Sequence, residues 1–441
     1  MAAHQSRPIA ATPILVAMAI GAVVGWLIGP TGKVGGIEVL GLFEFLGTLF
    51  INLLKMVVVP LIAASIVTGV ASIGSGRDLG RLGLKTLGFY VFTTLLSVLI
   101  ALTLVDLIKP GIVNGVPARA LLALEASSDV VNSSVQARAS VTVFDTLLGI
   151  VPTNILQAAS SNNLLGVMFF SVLFGFFLAR IELPYRQTVL EFWQGLFRVM
   201  MRMTTWVMSL APVGIFGLTA RVVAKSGISA AGPILTFGAC VVAGIIIYAV
   251  VALPVLLRIA GVRNPMRLFS AMSPALLTAF STASSAATLP LSLECLEKRA
   301  GVSERIASFV MPLGTSINHA GSALYECAGA MFIAQAYGLD LSFGQQFTVV
   351  TLALLTSMGV AGIPAASLVA IAVILSAVGL PPEGIGALLV LDRLLDMART
   401  AINVFADAVC TVIVARLEGE TEVLSSSGAD LVNTGAEPAA K

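Results

Sequence analysis

Charge is scarce in this 441-residue chain. Asp, Glu, Lys and Arg make up only 11% of it, and it has two histidines, three tryptophans and five tyrosines. A soluble domain carries about 25% charge. The two signs nearly cancel, at a formal net +2, which leaves no electrostatic footprint for nucleic acid. Four cysteines, Cys240, Cys295, Cys327 and Cys410, lie in or beside apolar stretches at unrelated spacings. That excludes a disulfide framework or a cysteine metal site and leaves them as small buried hydrophobes. The first apolar run, Pro13 to Gly29, lacks a convincing small-residue cleavage site. With Arg7 before it, the run reads as a first span and not as a removed signal peptide.

Apolar surface is abundant. Hydrophobic residues make up 57% of the chain and mean hydropathy is +0.99. Counting the 41 glycines, roughly two-thirds is apolar, against about 45–50% in soluble domains. No soluble fold has interior for so much, so lipid is the solvent for much of this chain and spans replace domains as the unit of counting. Apolar runs predict helices near 11–30, 40–72, 82–109, 145–181, 188–223 and 227–258. Several exceed the ~20 residues that cross a bilayer, so they should tilt, kink or protrude. The polar stretch 110–144 reads as an exposed extracellular loop. Residues 1–10 read as a cytoplasmic N-terminus and 418–441 as a disordered cytoplasmic tail. Arg77, Arg81 and Lys85 follow the second span, Arg180 and Arg186 the fourth, and Arg258, Arg263 and Arg267 the sixth. These alternate loops, and with them the N-terminus, are cytoplasmic by the positive-inside rule.

The C-terminal part departs from a simple span count. Two apolar segments, Ser273 to Leu293 and Thr351 to Ala377, are each broken by small residues and a proline: Ser281-Thr-Ala-Ser-Ser-Ala-Ala-Thr-Leu-Pro290 and Ser357-Met-Gly-Val-Ala-Gly-Ile-Pro364. Each precedes a long helix, about 303–336 and 384–417. A broken segment followed by a span, twice over, is the pattern of inverted repeats whose re-entrant hairpins line a site near the midplane. The alternative is two ordinary spans kinked at proline. The hairpin reading places hairpins at 265–296 and 342–378 and keeps Glu297, Lys298, Arg299 and Arg305 cytoplasmic. The fold class is then an all-α polytopic membrane protein with eight transmembrane helices and two re-entrant helical hairpins in inverted repeats.

The strongest chemical signal lies in the last helix. Asp392, Asp396, Arg399, Asn403 and Asp407 are spaced 4, 3, 4 and 4, which puts them on one face over about 22 Å. Its four ionisable members would cost about 10–14 kcal/mol facing lipid, so they face protein, water, ions or substrate. One reading is an internal salt-bridge ladder, Asp396 with Arg399 and Asp392 with Arg393. A ladder needs neither Asn403 nor Asp407. A planar guanidinium suits a carboxylate, Asp396 suits an ammonium group, and Asp407 with carbonyls suits Na⁺.

Seven stretches carry a more specific signal: Leu54-Lys-Met-Val-Val-Val-Pro60, Ile150-Val-Pro-Thr-Asn154, Ser284-Ser-Ala-Ala-Thr-Leu-Pro290, Pro312-Leu-Gly-Thr-Ser-Ile-Asn318, Ala323-Leu-Tyr-Glu326, Gly359-Val-Ala-Gly-Ile-Pro364 and Asp396-Met-Ala-Arg-Thr-Ala-Ile-Asn-Val404. In these the chain resembles the dicarboxylate/amino acid:cation symporter family, which includes the glutamate transporters, over nearly its whole length except the tail. The resemblance implies a non-enzymatic symporter of glutamate or aspartate, with no cofactor beyond the coupling ion Na⁺, in the plasma (bacterial inner) membrane with both termini cytoplasmic. It also implies a homotrimer. Spans 1, 2, 4 and 5 (11–72 and 145–223) would form a fixed scaffold. Span 3 (82–109) and the core at 227–417 would move as an elevator.

The same resemblance implies residue roles. Arg399 would bind the side-chain carboxylate, Asp396 the α-amino group and Asn403 the α-carboxylate, with Thr400 and Ser322 adding hydroxyl contacts. Ser284 and Ser285 would lie at the first hairpin tip. Gly362 to Ala365 would form the second tip, the extracellular gate. One cation site would use Asp407 with carbonyls of Gly314, Asn318 and Asn403. A second would use carbonyls of Ser316, Ser357, Met358 and Val360. A third would use Tyr90, Thr93, Thr94 and Asn318, but Asn318-His-Ala-Gly-Ser322 stands where the family has Asn-Met-Asp-Gly-Thr. Ala320 thus replaces a carboxylate, and His319 replaces methionine. Each Na⁺ supplies about 3.7 kcal/mol at ~100 mV and a tenfold gradient. A proton on Glu326 or His319 could stand in for the lost ion, or both residues could be satisfied packing groups. Other readings are the same fold carrying neutral amino acids or C4-dicarboxylates, an intramembrane hydrolase using Ser281 or Ser284 with His319, and an ion channel. The hydrolase lacks a nucleophile motif, and a channel leaves Arg399 unexplained.

Overall fold

A backbone in lipid must satisfy its own N–H and C=O groups, so apolar runs of this length become helices. A computed structural model of the protein describes residues 11–29, 32–34, 37–72, 77–122, 124, 151–160, 164–227, 231–359, 366–381, 384–421 and 423–424. The first part contains α1 (Ala11–Ile28), α2 (Leu40–Ser72), α3 (Arg77–Ile108), α4 (Ile155–Ser160), α5 (Leu164–Leu178), α6 (Tyr185–Ser209) and α7 (Ala211–Ser226). Next come α8 (Ala231–Ile247), a π-helical turn at Tyr248–Ala252 and α9 (Leu253–Ile259). They are followed by α10 (Met266–Thr282), α11 (Ser285–Glu294), α12 (Glu304–Ile317), α13 (Ala320–Ala336), α14 (Phe343–Gly359), α15 (Ala366–Val378) and α16 (Ile385–Leu417). Two minimal antiparallel ribbons, Lys33–Val34 with Ile37–Glu38 and Ile112–Val113 with Val116–Pro117, sit in connections. Among the described residues, Leu82–Ile108, Ala231–Ile259 and Ile385–Leu417 are each long and apolar enough to cross a membrane, and α6 with α7 forms a bent fourth candidate.

Four expectations need correction. The single helix expected over 188–223 is two, meeting at Leu210 with a bend of 50°. Pro212, in the first turn of α7, has no N–H to continue α6 and starts a new helix instead. The helix expected over 303–336 breaks at Asn318, which is extended (φ −110°, ψ 90°), and His319, which lies outside the helical region (φ −114°, ψ 57°). The described part of the 110–144 loop is not simply exposed. Asn114 and Gly115 both have positive φ and close the Ile112–Pro117 hairpin, while Ala118 and Leu122 are buried. The tail is ordered beyond 418: Lys85 pairs with Glu418 at 2.7 Å, the Glu420 carboxylate accepts from the Ser303 N–H and hydroxyl, and the Leu424 N–H donates to the Ala300 carbonyl. The rest of the tail, residues 1–10 and the 145–150 end of the fourth span lie outside the described residues.

The closest helix contacts fall into two groups. In one, α1 and α2 both pack on α7, and α2 packs on α5 and α6. In the other, α16 packs against α10, α12, α13 and α8, and α13 against α3, α14 and α15. The second group holds the polar stripe.

Candidate functional site

Asp392, Arg399 and Asp407 of α16 are buried inside the second group, and Arg393 and Asp396 are partly buried. Arg399 is 1% exposed, Asp407 0% and Asn403 3%. Arg399 Nη2 donates to both Asp392 Oδ1 and Asp396 Oδ1 at 3.0 Å, and its guanidinium lies 3.9 Å over the Tyr325 ring. The ladder therefore exists with a different partner: Asp392 pairs with Arg399, seven residues on, while Arg393 reaches Asp396 at 3.6 Å. Residues seven apart stack on one face, whereas adjacent residues point about 100° apart. The ladder leaves Arg399 Nη1 and Nε buried without a hydrogen-bond partner among the described residues. Those donors suit a carboxylate. Nearby, Thr400 Oγ1 donates back to the Asp396 carbonyl.

The break between α12 and α13 faces this helix. Its freed backbone groups are met by side chains from neighbouring helices, as lipid burial demands. The Gly321 N–H donates to Asn403 Oδ1 at 2.8 Å, and Ser97 Oγ donates to the Ala320 carbonyl at 2.7 Å. Asn403 Nδ2 lies 3.4 Å from Ser322 Oγ. Asn318 Nδ2 donates to Asp407 Oδ1 at 2.7 Å, and Thr94 Oγ1 donates to Asn318 Oδ1 at 3.0 Å. Asp407 Oδ2 is buried without a donor among the described residues. A Cβ on Gly314 would lie 2.5 Å from Asp407 Oδ1 and 2.7 Å from the Tyr90 hydroxyl, so only glycine lets this turn approach the carboxylate. A buried carboxylate oxygen without a donor, beside backbone carbonyls, is a donor set that fits Na⁺.

The other predicted residues are distributed as follows. Tyr90 donates to the Val310 carbonyl at 2.7 Å, close to this cluster, but Thr93 turns back onto Phe89 and faces Cys410. Ser284 caps α11, accepting from the Ala287 N–H, behind Ala283 in the left-handed region (φ +48°), and Ser285 is buried. Ser316 Oγ bonds Pro312 within its own helix, and Ser357 Oγ does the same with Leu354. Met358 ends α14 beside Ser357. Glu326 is 1% exposed, accepts from Thr356 Oγ1 at 2.6 Å and has no ion-pair partner among the described residues. His319 Nδ1 lies 3.1 Å from the Ser357 carbonyl. Val360, Gly362 and Ala365 lie outside the described residues. Sequence reasoning missed Tyr325 beneath Arg399, Ser97 on the break and Thr356 on Glu326. Only Tyr325 had a signal, as one of five tyrosines and the neighbour of Glu326.

Comparison with known proteins follows this geometry. The family model "Sodium:dicarboxylate symporter family" matches residues 11–417. The chain is 35% identical over 405 residues to the proton/glutamate-aspartate symporter of Escherichia coli (strain K12), covering 92% of each. It is 35% identical over 402 residues to the proton/sodium-glutamate symport protein of Bacillus caldotenax, covering 91% of this chain and 93% of that one. Excitatory amino acid transporter 3 of Bos taurus is 33% identical over 462 residues, covering 95% of this chain and 88% of that one. A match over nearly the whole length makes the chain a member of the sodium:dicarboxylate symporter family, a family of transporters and not of enzymes.

Proposed function

We propose that the protein takes up glutamate or aspartate by symport with Na⁺ and protons. The observation that carries this reading is Arg399. It is a guanidinium held by two aspartates and an aromatic face, with Nη1 and Nε unpartnered among the described residues in a buried place. Those donors take the substrate's side-chain carboxylate, Asp396 the α-amino group, and Asn403 the α-carboxylate. Thr400 and Ser322 complete the pocket. The tip at Ser284–Ser285 closes it from one side.

Na⁺ binds at Asp407, whose second oxygen has no donor among the described residues. Glu326 carries the proton: an ionised carboxylate without a cation is costly in such surroundings, and two hydroxyls, of Thr356 and Ser367, face it. The first helix group (α1, α2, α5, α6 and α7) is the scaffold of a homotrimer in the bacterial inner membrane, with both termini cytoplasmic. The second group carries substrate as an elevator, and eight spans and two re-entrant hairpins make up the whole. Support for a moving seam comes from a crevice of about 500 Å³ between the groups, lined by Met18, Trp26, Val222, Ile234, Leu235 and Leu391, where apolar contact offers little to hold a position.

Uptake of labelled aspartate into proteoliposomes, with Na⁺ and H⁺ gradients imposed separately, tests the reading. Both gradients should drive uptake, and Glu326→Gln should abolish only the response to H⁺. Uptake of succinate or alanine in preference to aspartate would overturn the substrate.

A further inference from the structure

Helices α12 and α14 end at Ile317 and Gly359 and touch each other. The last carbonyls of a helix have no partner within it and carry the negative end of its dipole. Two such ends meeting in the interior form an acceptor-rich place where a second Na⁺ would bind. His319 stands there. Its side chain is 5% exposed and its Nδ1 is 3.1 Å from the Ser357 carbonyl. A carbonyl oxygen can only accept, so Nδ1 carries the hydrogen in this contact. The acceptors one residue further on are also spoken for, because Ser97 donates to the Ala320 carbonyl and Ala320 brings no carboxylate. Asp407 Oδ2, by contrast, receives no hydrogen bond among the described residues.

We propose that His319 fills the second cation site with its own N–H, so that the transporter runs on a single Na⁺, bound at Asp407. The contact works by competition. The imidazole N–H and a cation need the same Ser357 carbonyl, and admitting the cation would strip a buried donor of its partner. Methionine or leucine at 319 has no side-chain N–H and leaves the carbonyl open. The inference rests on the reading of the chain as Na⁺-coupled and names the residue that sets the number of ions.

The test uses the purified full-length protein and its His319→Met and His319→Leu variants. Thermal unfolding is followed against NaCl, with choline chloride holding ionic strength constant and no amino acid present. Both variants should gain a Na⁺ response at least tenfold more sensitive than wild type. In proteoliposomes the ²²Na⁺-to-aspartate flux ratio should rise from one to two in His319→Met. Equal Na⁺ responses in all three proteins would overturn the inference. So would a wild-type flux ratio of two or more, which needs no variant to fold. If the variants gain the Na⁺ response but neither aspartate nor glutamate stabilises any of the proteins, the ion inference stands and the substrate reading falls.

Discussion

The two groups of helices are held together by different chemistry. In the first, backbone meets backbone through glycine. A Cβ on Gly25 would lie 2.3 Å from the Ala220 carbonyl oxygen, one on Gly217 2.7 Å from that of Phe43, and one on Gly175 2.9 Å from that of Val67. Lipid tails are as apolar as leucine, so close packing of small residues must supply the attraction that water supplies in a soluble protein. In the second group, side-chain donors and acceptors from α3 and α16 are spent on the break at Asn318 and His319. The first arrangement rests on close approach of main chain. The second keeps polar groups in the interior, where Arg399 Nη1 and Asp407 Oδ2 have no hydrogen-bond partner among the described residues.

Mutations that separate the two groups test this contrast. Arg399→Cys should have the largest effect: losing a buried charged donor costs about 2–5 kcal/mol. Aspartate uptake should fall at least ~100-fold while neutral amino acids become substrates. Unchanged aspartate uptake would remove Arg399 from the site. Gly25→Val should act on stability alone, lowering it by about 1–3 kcal/mol through overpacking. Its unfolding midpoint should drop while aspartate affinity stays at the wild-type value, and a changed affinity would break the division of labour. Gly314→Ala pushes a methyl group onto the Asp407 carboxylate and should raise the half-saturating Na⁺ about tenfold, or about 1.4 kcal/mol, in a Na⁺ titration of uptake. Smallest is Lys85→Ala, which removes a partly exposed ion pair to Glu418 and should cost under about 1 kcal/mol in thermal stability, with transport intact.

Much of the second group was legible in the sequence because its physics is local. The spacing of Asp392 to Asp407 put these residues on one face, and that face is where α16 meets its neighbours. The first broken segment was readable from its Ser-rich signal, and α10 and α11 turn at Ala283 and Ser284 inside it. The break at Asn318 was not readable, because His319 and Ala320 carry no helix-breaking propensity. The helix opens there because Asn403, Ser97, Thr94 and Asp407 reach it from other elements. The Asp392–Arg399 pair was missed for a smaller reason: the nearest arginine in sequence was favoured over the one two turns away. The glycine contacts of the first group were invisible, since a glycine in an apolar run looks the same whether it faces lipid or a carbonyl.

The short segment after α16 has a practical side. Glu418, Glu420 and Leu424 fasten the end of the chain to α3 and to the loop before α12, and Val423 is buried. A fusion partner or affinity tag joined directly after Leu417 would unpick these stitches, whereas one joined beyond Leu424 keeps them. The choice of junction for a fluorescent or purification handle is thus a structural variable, to be fixed before transport rates of different preparations are compared.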